Sequence, residues 1–143
     1  MSQYETGYLT KLSVIGTVIF LSVGVIASIQ SAFEIIFVIL SLVMFSIGVT
    51  LGMKAFANSV TRSRYEVIMT IDLIKLPQGT PRQLKVILYG SLGAEVIGSI
   101  LFASLQSSTN FAFGILASLF ALGNLNLWAI MNGRFEKRPN RKA

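Results

Sequence analysis

The sequence predicts an all-α membrane protein, with four transmembrane helices forming two antiparallel hairpins and both termini cytoplasmic. Three observations lead there. The chain of 143 residues is 53% hydrophobic and only 13% charged, where a soluble domain carries about 25% charge, and its mean hydropathy is +0.70. Long runs contain no Asp, Glu, Lys or Arg, and the bases fall in alternate segments between those runs. The length suits one domain, so residues 1–143 read as a single membrane domain.

A helix needs about 20 mostly apolar residues to cross the hydrocarbon. Leu12 to Phe33 carries no charge, which gives a first span at about 12–29. It is read as a retained helix and not as a signal peptide. Its apolar run exceeds a signal h-region, and the preceding segment has only Lys11, offset by Glu5. Ile35 to Met53 is also free of charge, giving a second span at about 35–56. From Val86 to Gly133 the one charged residue is Glu95. That stretch is too long for one crossing, and the polar run Gln106 to Asn110 divides it into spans at about 86–105 and 111–131.

The segment of about 57–84 joins the two halves. From Arg62 to Lys75 a helix would put Val67, Ile71 and Ile74 on one face with Ile68 beside them. A strand would alternate only in part. The expectation is an amphipathic helix lying in the membrane interface, stopped by Leu76-Pro77-Gln78-Gly79-Thr80-Pro81.

Orientation follows from Lys and Arg. The loops Gln30–Glu34 and Gln106–Asn110 have none, and all twelve bases lie in the N-terminal flank, around the middle segment, or in the tail. The middle segment and both termini are therefore expected in the cytoplasm. Loops of about five residues make sequential helices antiparallel neighbours. The halves are weakly alike: Ser28-Ile29-Gln30-Ser31 parallels Ser104-Leu105-Gln106-Ser107, and Phe45-Ser46-Ile47-Gly48 parallels Phe120-Ala121-Leu122-Gly123.

Lipid tails are as apolar as leucine, so membrane helices associate where small residues let backbones approach. Gly48 and Gly52 form a GxxxG pair in the second span. Gly90, Ala94 and Gly98 recur every fourth residue in the third, which makes that span the candidate centre of the bundle or a homodimer seam. Glu95 lies at its midpoint. An ionised side chain there costs about 3 kcal/mol or more. Ser91 and Ser99 sit one turn either side, and Asn124 of the fourth span falls at nearly the same depth. Two readings follow for Glu95, Ser91, Ser99 and Asn124. One is a proton- or cation-coupling carboxylate, and the other is a hydrogen-bonded carboxyl fixing how helices pack.

The basic residues Arg62, Arg64, Arg134, Lys137, Arg138, Arg141 and Lys142 are candidate contacts for anionic lipid or for a partner protein. Trp128, Tyr8 and Tyr89 read as an aromatic belt. A short basic tail without a recognition fold does not suggest nucleic-acid binding. The chain has no His and no Cys. That excludes disulfides, thiolate metal sites, haem ligation by His and Ser-His catalysis within it. No catalytic residue, metal or cofactor is expected, and Glu66 and Asp72 alone do not make a metal site.

From Gly52 to Pro139 the chain resembles a family of small, uncharacterised four-span integral membrane proteins of actinobacteria. The matching features are Ala57 through Arg64 with Glu66 following, and Thr80-Pro81-Arg82. Leu88-Tyr89-Gly90-Ser91-Leu92, Phe111 through Leu116, and Leu127-Trp128 with Gly133 complete the match. The family often has Gln where Glu95 stands. It has Gly-Ala-Arg-His-Gly after the Trp, where this chain has Ala129-Ile130-Met131-Asn132-Gly133. The resemblance implies a bacterial plasma membrane and no particular activity. The expected role is an accessory, scaffold or assembly component, contacting anionic lipids and either another membrane protein or a second copy. The alternative is a small transporter coupled through Glu95.

Overall fold

The computed structural model describes residues 7–106 and 109–139. Four helices form from the four apolar runs: α1 (Gly7–Ile29), α2 (Glu34–Arg62), α3 (Arg82–Leu105) and α4 (Gly114–Asn132). All four regions are long and apolar enough to cross a membrane. Single 3₁₀ turns at Ser31–Phe33 and Thr109–Phe113 lead into α2 and α4. No strand forms among the described residues, apart from one isolated bridge between Glu66 and Lys137.

At the end lacking Lys and Arg, α1 and α3 stop at Ile29 and Leu105, where the apolar pattern stops. At the basic end α1, α2 and α3 run on past it, to Gly7, Arg62 and Arg82. A charge-free run marks the hydrocarbon, while a helix continues into the headgroup region wherever its residues tolerate helical geometry. Pro81 sets the start of α3 with extended backbone (φ −55°, ψ 141°), a conformation proline allows just before a helix.

The amphipathic helix expected across Arg62–Lys75 does not form. After α2 the chain is extended at Met69 (φ −100°, ψ 156°) and makes one 3₁₀ turn at Thr70–Leu73. Two things compete with the helix. The Val67 N–H donates to Glu136 O at 2.8 Å, and the Arg138 N–H to Tyr65 O at 2.8 Å, so backbone groups pair with the tail. The apolar side chains also divide: Ile68, Leu73 and Leu76 pack into the core, while Val67, Ile71 and Ile74 stay exposed. One helical face could not serve both sets.

The most extensive pairing is between α2 and α4, followed by α3 with α4 and α1 with α3. Along α2, Phe37, Gly48 and Arg62 meet Gly114, Gly123 and Ile130 of α4 in turn, so these helices run in the same direction. Along α1, Thr17, Leu21 and Ser28 meet Glu95, Gly98 and Gln106 in turn, so α1 and α3 do too. The most enclosed helix is α4, not the expected α3. From Leu125 to Ile130 every α4 side chain except Asn126 is buried.

The interior has two apolar ends. At the base-free end Phe20, Phe37, Phe102 and Phe111 form an aromatic cluster with ring centroids 5.3 to 6.5 Å apart, spacings at which ring pairs attract. At the basic end Leu9, Leu76, Leu88, Leu125, Leu127 and Ile130 surround Trp128. Trp128 is fully buried and so is not part of an aromatic belt. Tyr8 and Tyr89 are exposed.

Candidate functional site

Ser91, Glu95 and Ser99 recur every fourth residue on α3, and all three are buried. Glu95 is 0% exposed. Its carboxyl joins three helices. The Thr17 hydroxyl of α1 donates to Oε1 at 2.8 Å, and the Ala121 N–H of α4 donates to Oε2 at 3.3 Å. Among the described residues it has no ion-pair partner. The other members of the expected polar group turn elsewhere. Ser99 donates to Val96 O at 2.9 Å. Asn124 is fully buried, but its Nδ2 donates to Phe120 O at 2.8 Å within its own helix.

Thr17 is the residue the sequence reading missed. The signal was present as Thr10, Ser13 and Thr17, at i, i+3 and i+7 on one face of α1, all buried. In a membrane, polar side chains in such a row belong inside. The Thr10 and Ser13 hydroxyls, the Ser118 hydroxyl and Asn124 Oδ1 have no hydrogen-bond partner among the described residues. The interior around Glu95 therefore carries polar side chains between the two apolar ends.

The small residues divide sharply. A Cβ on Gly48 would meet the Leu119 carbonyl, and one on Gly123 would meet the Gly48 carbonyl. One on Gly98 would meet the Leu21 side chain, and one on Gly52 only touches Asn126 at 4.0 Å. Gly90 has nothing within 4 Å, and Ala94 is half-buried. Close helix approach therefore occurs at Gly48 on α2. The Gly90 end of the α3 stripe lies open.

At the basic end Arg62 acts as a clasp. Its Nε donates to Glu66 Oε2 at 2.8 Å, and its Nη2 forms an ion pair with the same oxygen, Glu66 lying just past the end of α2. Its two terminal nitrogens donate to the carbonyls of Ile130 and Gly133, the latter at 3.0 Å. The guanidinium lies 4.9 Å from the Phe135 ring centroid. Helix ends leave carbonyls unpaired, and Arg62 satisfies that of Ile130 in α4 and that of Gly133 just after it, while tying down the tail. It is thus engaged internally and is not free for lipid. Arg138 adds a bond from Nε to Glu66 O at 3.2 Å. Arg64, Arg134 and Lys137 are exposed, and Arg141 and Lys142 lie outside the described residues.

Arg62→Gln is expected to destabilise this end by about 2 kcal/mol, because two buried carbonyls and Glu66 lose a charged donor. Arg62→Lys restores little, since a point charge cannot replace the planar fork. Trypsin cleavage after Arg134 and Lys137 in detergent should quicken several-fold in both variants. Unchanged cleavage would show that the clasp does not hold the tail.

Among the described residues no group of three His, Cys, Asp or Glu side chains could hold a metal. The contacts of Glu95 and Arg62 bind the helices to one another and to the tail. The chain matches no protein-family model, no curated protein and no solved structure.

Proposed function

We propose that this chain is a non-catalytic integral protein of a bacterial plasma membrane, acting as an accessory, scaffold or assembly component for another membrane protein. In this reading the helices form two antiparallel hairpins, and the Lys- and Arg-bearing end with both termini faces the cytoplasm. The resemblance to the small actinobacterial membrane proteins belongs to the same proposal. The observation that carries it is the environment of Glu95: no exposure, and hydrogen bonds that tie α1, α3 and α4 together. A coupling carboxylate must meet water or substrate at some point in its cycle. This one is spent on internal contacts.

The test combines flux with purification. Chain reconstituted in vesicles with a trapped pH dye should give no proton flux that depends on Glu95. The Glu95→Gln variant should purify as a folded protein and retain the same stoichiometric partner from native membranes in mild detergent. Proton-driven flux lost in Glu95→Gln, with the fold intact, would overturn the accessory reading in favour of a transporter.

A further inference from the structure

We propose that the basic end carries a binding site for a phosphate-bearing anion, supplied as the headgroup of an anionic phospholipid. The site is a cleft of about 980 Å³. One wall is the segment from Asp72 to Thr80, and the other is the end of α4 from Trp128 into the tail at Phe135. Ligand sites of this kind are concave and of about 300–1,000 Å³.

Charge decides the ligand class. Lys75 stands on one wall and Arg134 on the other. Both are exposed, and neither side chain has an ion-pair partner among the described residues. The one acid lining the cleft, Asp72, is already held: its Oδ2 accepts the Met69 N–H at 2.7 Å. A bare helix C-terminus would oppose an anion here, because its carbonyls carry partial negative charge. Arg62 covers two of those carbonyls, Ile130 and Gly133. Lys75 and Arg134 therefore set two cations against the single Asp72 carboxylate, a net positive lining that favours an anion.

The rim is held in a hydrogen-bonded turn. Pro77 to Thr80 make a tight turn in which the Thr80 N–H and hydroxyl both donate to Pro77 O, at 3.2 and 2.6 Å. Gly79 takes φ +87°, the left-handed region that glycine enters without strain. The opposite wall is fixed by the Arg62 clasp. The segments that line the cleft directly adjoin the apolar spans α3 and α4, and a base beside a span attracts anionic lipid.

The test uses the full chain in detergent, titrated with phosphatidylglycerol or phosphatidylcholine and read by native mass spectrometry. Wild type should retain phosphatidylglycerol in preference. The double variant Lys75→Gln/Arg134→Gln should bind it about thirtyfold more weakly, taking about 1 kcal/mol per base. Lys54→Gln, which removes one such charge outside the cleft, should change retention less than twofold. Both cleft side chains are exposed and unbonded, so the fold survives their loss. Displacement by millimolar glycerol phosphate would show that the grip is on the phosphate and open to soluble donors. No displacement, with lipid retained, would restrict the site to lipid. Equal retention of the two lipids overturns the proposal, as does a double variant that binds like wild type or an equal loss in Lys54→Gln.

Discussion

Gly123→Leu is expected to separate α4 from α2 and to leave the chain unable to hold its bundle. At this crossing the atoms in the way are backbone on both sides. The Gly123 hydrogen that a side chain would replace points at the Gly48 carbonyl, and the corresponding hydrogen of Gly48 points at the Leu119 carbonyl. These are reciprocal Cα–H···O contacts, worth about 0.5–1 kcal/mol each. Nothing there can rotate aside, in contrast to Gly16, Gly24 and Gly114, whose close neighbours are the rings of Phe120, Phe102 and Phe37. The expected cost is about 3 kcal/mol or more, a large share of a total stability of about 5–15 kcal/mol. Since α2 and α4 form the most extensive pairing, forcing them apart at this crossing disturbs the largest interface of the bundle.

Gly48→Leu should behave alike. Gly90→Ala and Gly93→Ala are the controls, because a Cβ there meets nothing within 4 Å. Each should be neutral, or stabilising by up to about 1 kcal/mol through helix propensity. Unfolding by SDS titration, followed by helicity, gives the comparison. Loss in the Gly90 and Gly93 variants equal to that in Gly48 and Gly123 would mean that glycine matters through some property other than close approach.

That contrast also explains what the amino-acid pattern could and could not reveal. The four spans are legible because hydrocarbon thickness demands uncharged runs, and two helices end within those runs at Ile29 and Leu105. The inward faces are harder to read by apolar periodicity, since lipid accepts isoleucine as readily as a protein core does. The informative row is the inverse one. Beyond Leu9, the buried positions of α1 are Thr10, Ser13, Thr17, Phe20, Gly24 and Ala27, while Ile15, Val18, Ile19, Val25 and Ile26 face outward. Their alternating three- and four-residue spacing is that of a left-handed helix crossing. Read that way, Thr17 falls on the same face as the other inward polar residues. Glu95 stands out for its charge. Its hydrogen bonds to Thr17 and Ala121 depend on the relative register of α1, α3 and α4, which no local pattern encodes. The likeness of Phe45–Gly48 to Phe120–Gly123 acquires a physical meaning, because Gly48 and Gly123 meet face to face. The middle segment departs from the expected helix for a different reason. Its apolar residues satisfy helical spacing, but the tail, more than sixty positions away, offers its backbone another partner.

Glu95→Lys is the second substitution expected to unfold the bundle. It sets a cation at a fully buried position, opposite the Ala121 N–H, with no acidic partner among the described residues. The penalty should be about 3 kcal/mol or more. The milder variants carry more information. Glu95→Gln keeps the length and one acceptor for the Thr17 hydroxyl, but turns an amide N–H toward the Ala121 N–H or the hydroxyl. It should cost about 1 kcal/mol. Glu95→Leu removes both acceptors and should cost about 1–2 kcal/mol, in the range of interhelical hydrogen bonds in membranes. In a double-mutant cycle with Thr17→Val, the Glu95→Leu change should show coupling of about 0.6 kcal/mol or more. The order matters because buried polar groups kept for activity behave in the opposite way. Replacing them with a well-packed apolar residue often leaves stability unchanged or raises it. A Glu95→Leu chain more resistant to SDS than wild type would therefore mean that the carboxyl is held in the bundle at a cost, for a purpose other than packing. A chain weakened in the order Gln, Leu, Lys would mean that its contacts to Thr17 and Ala121 are the reason it is there.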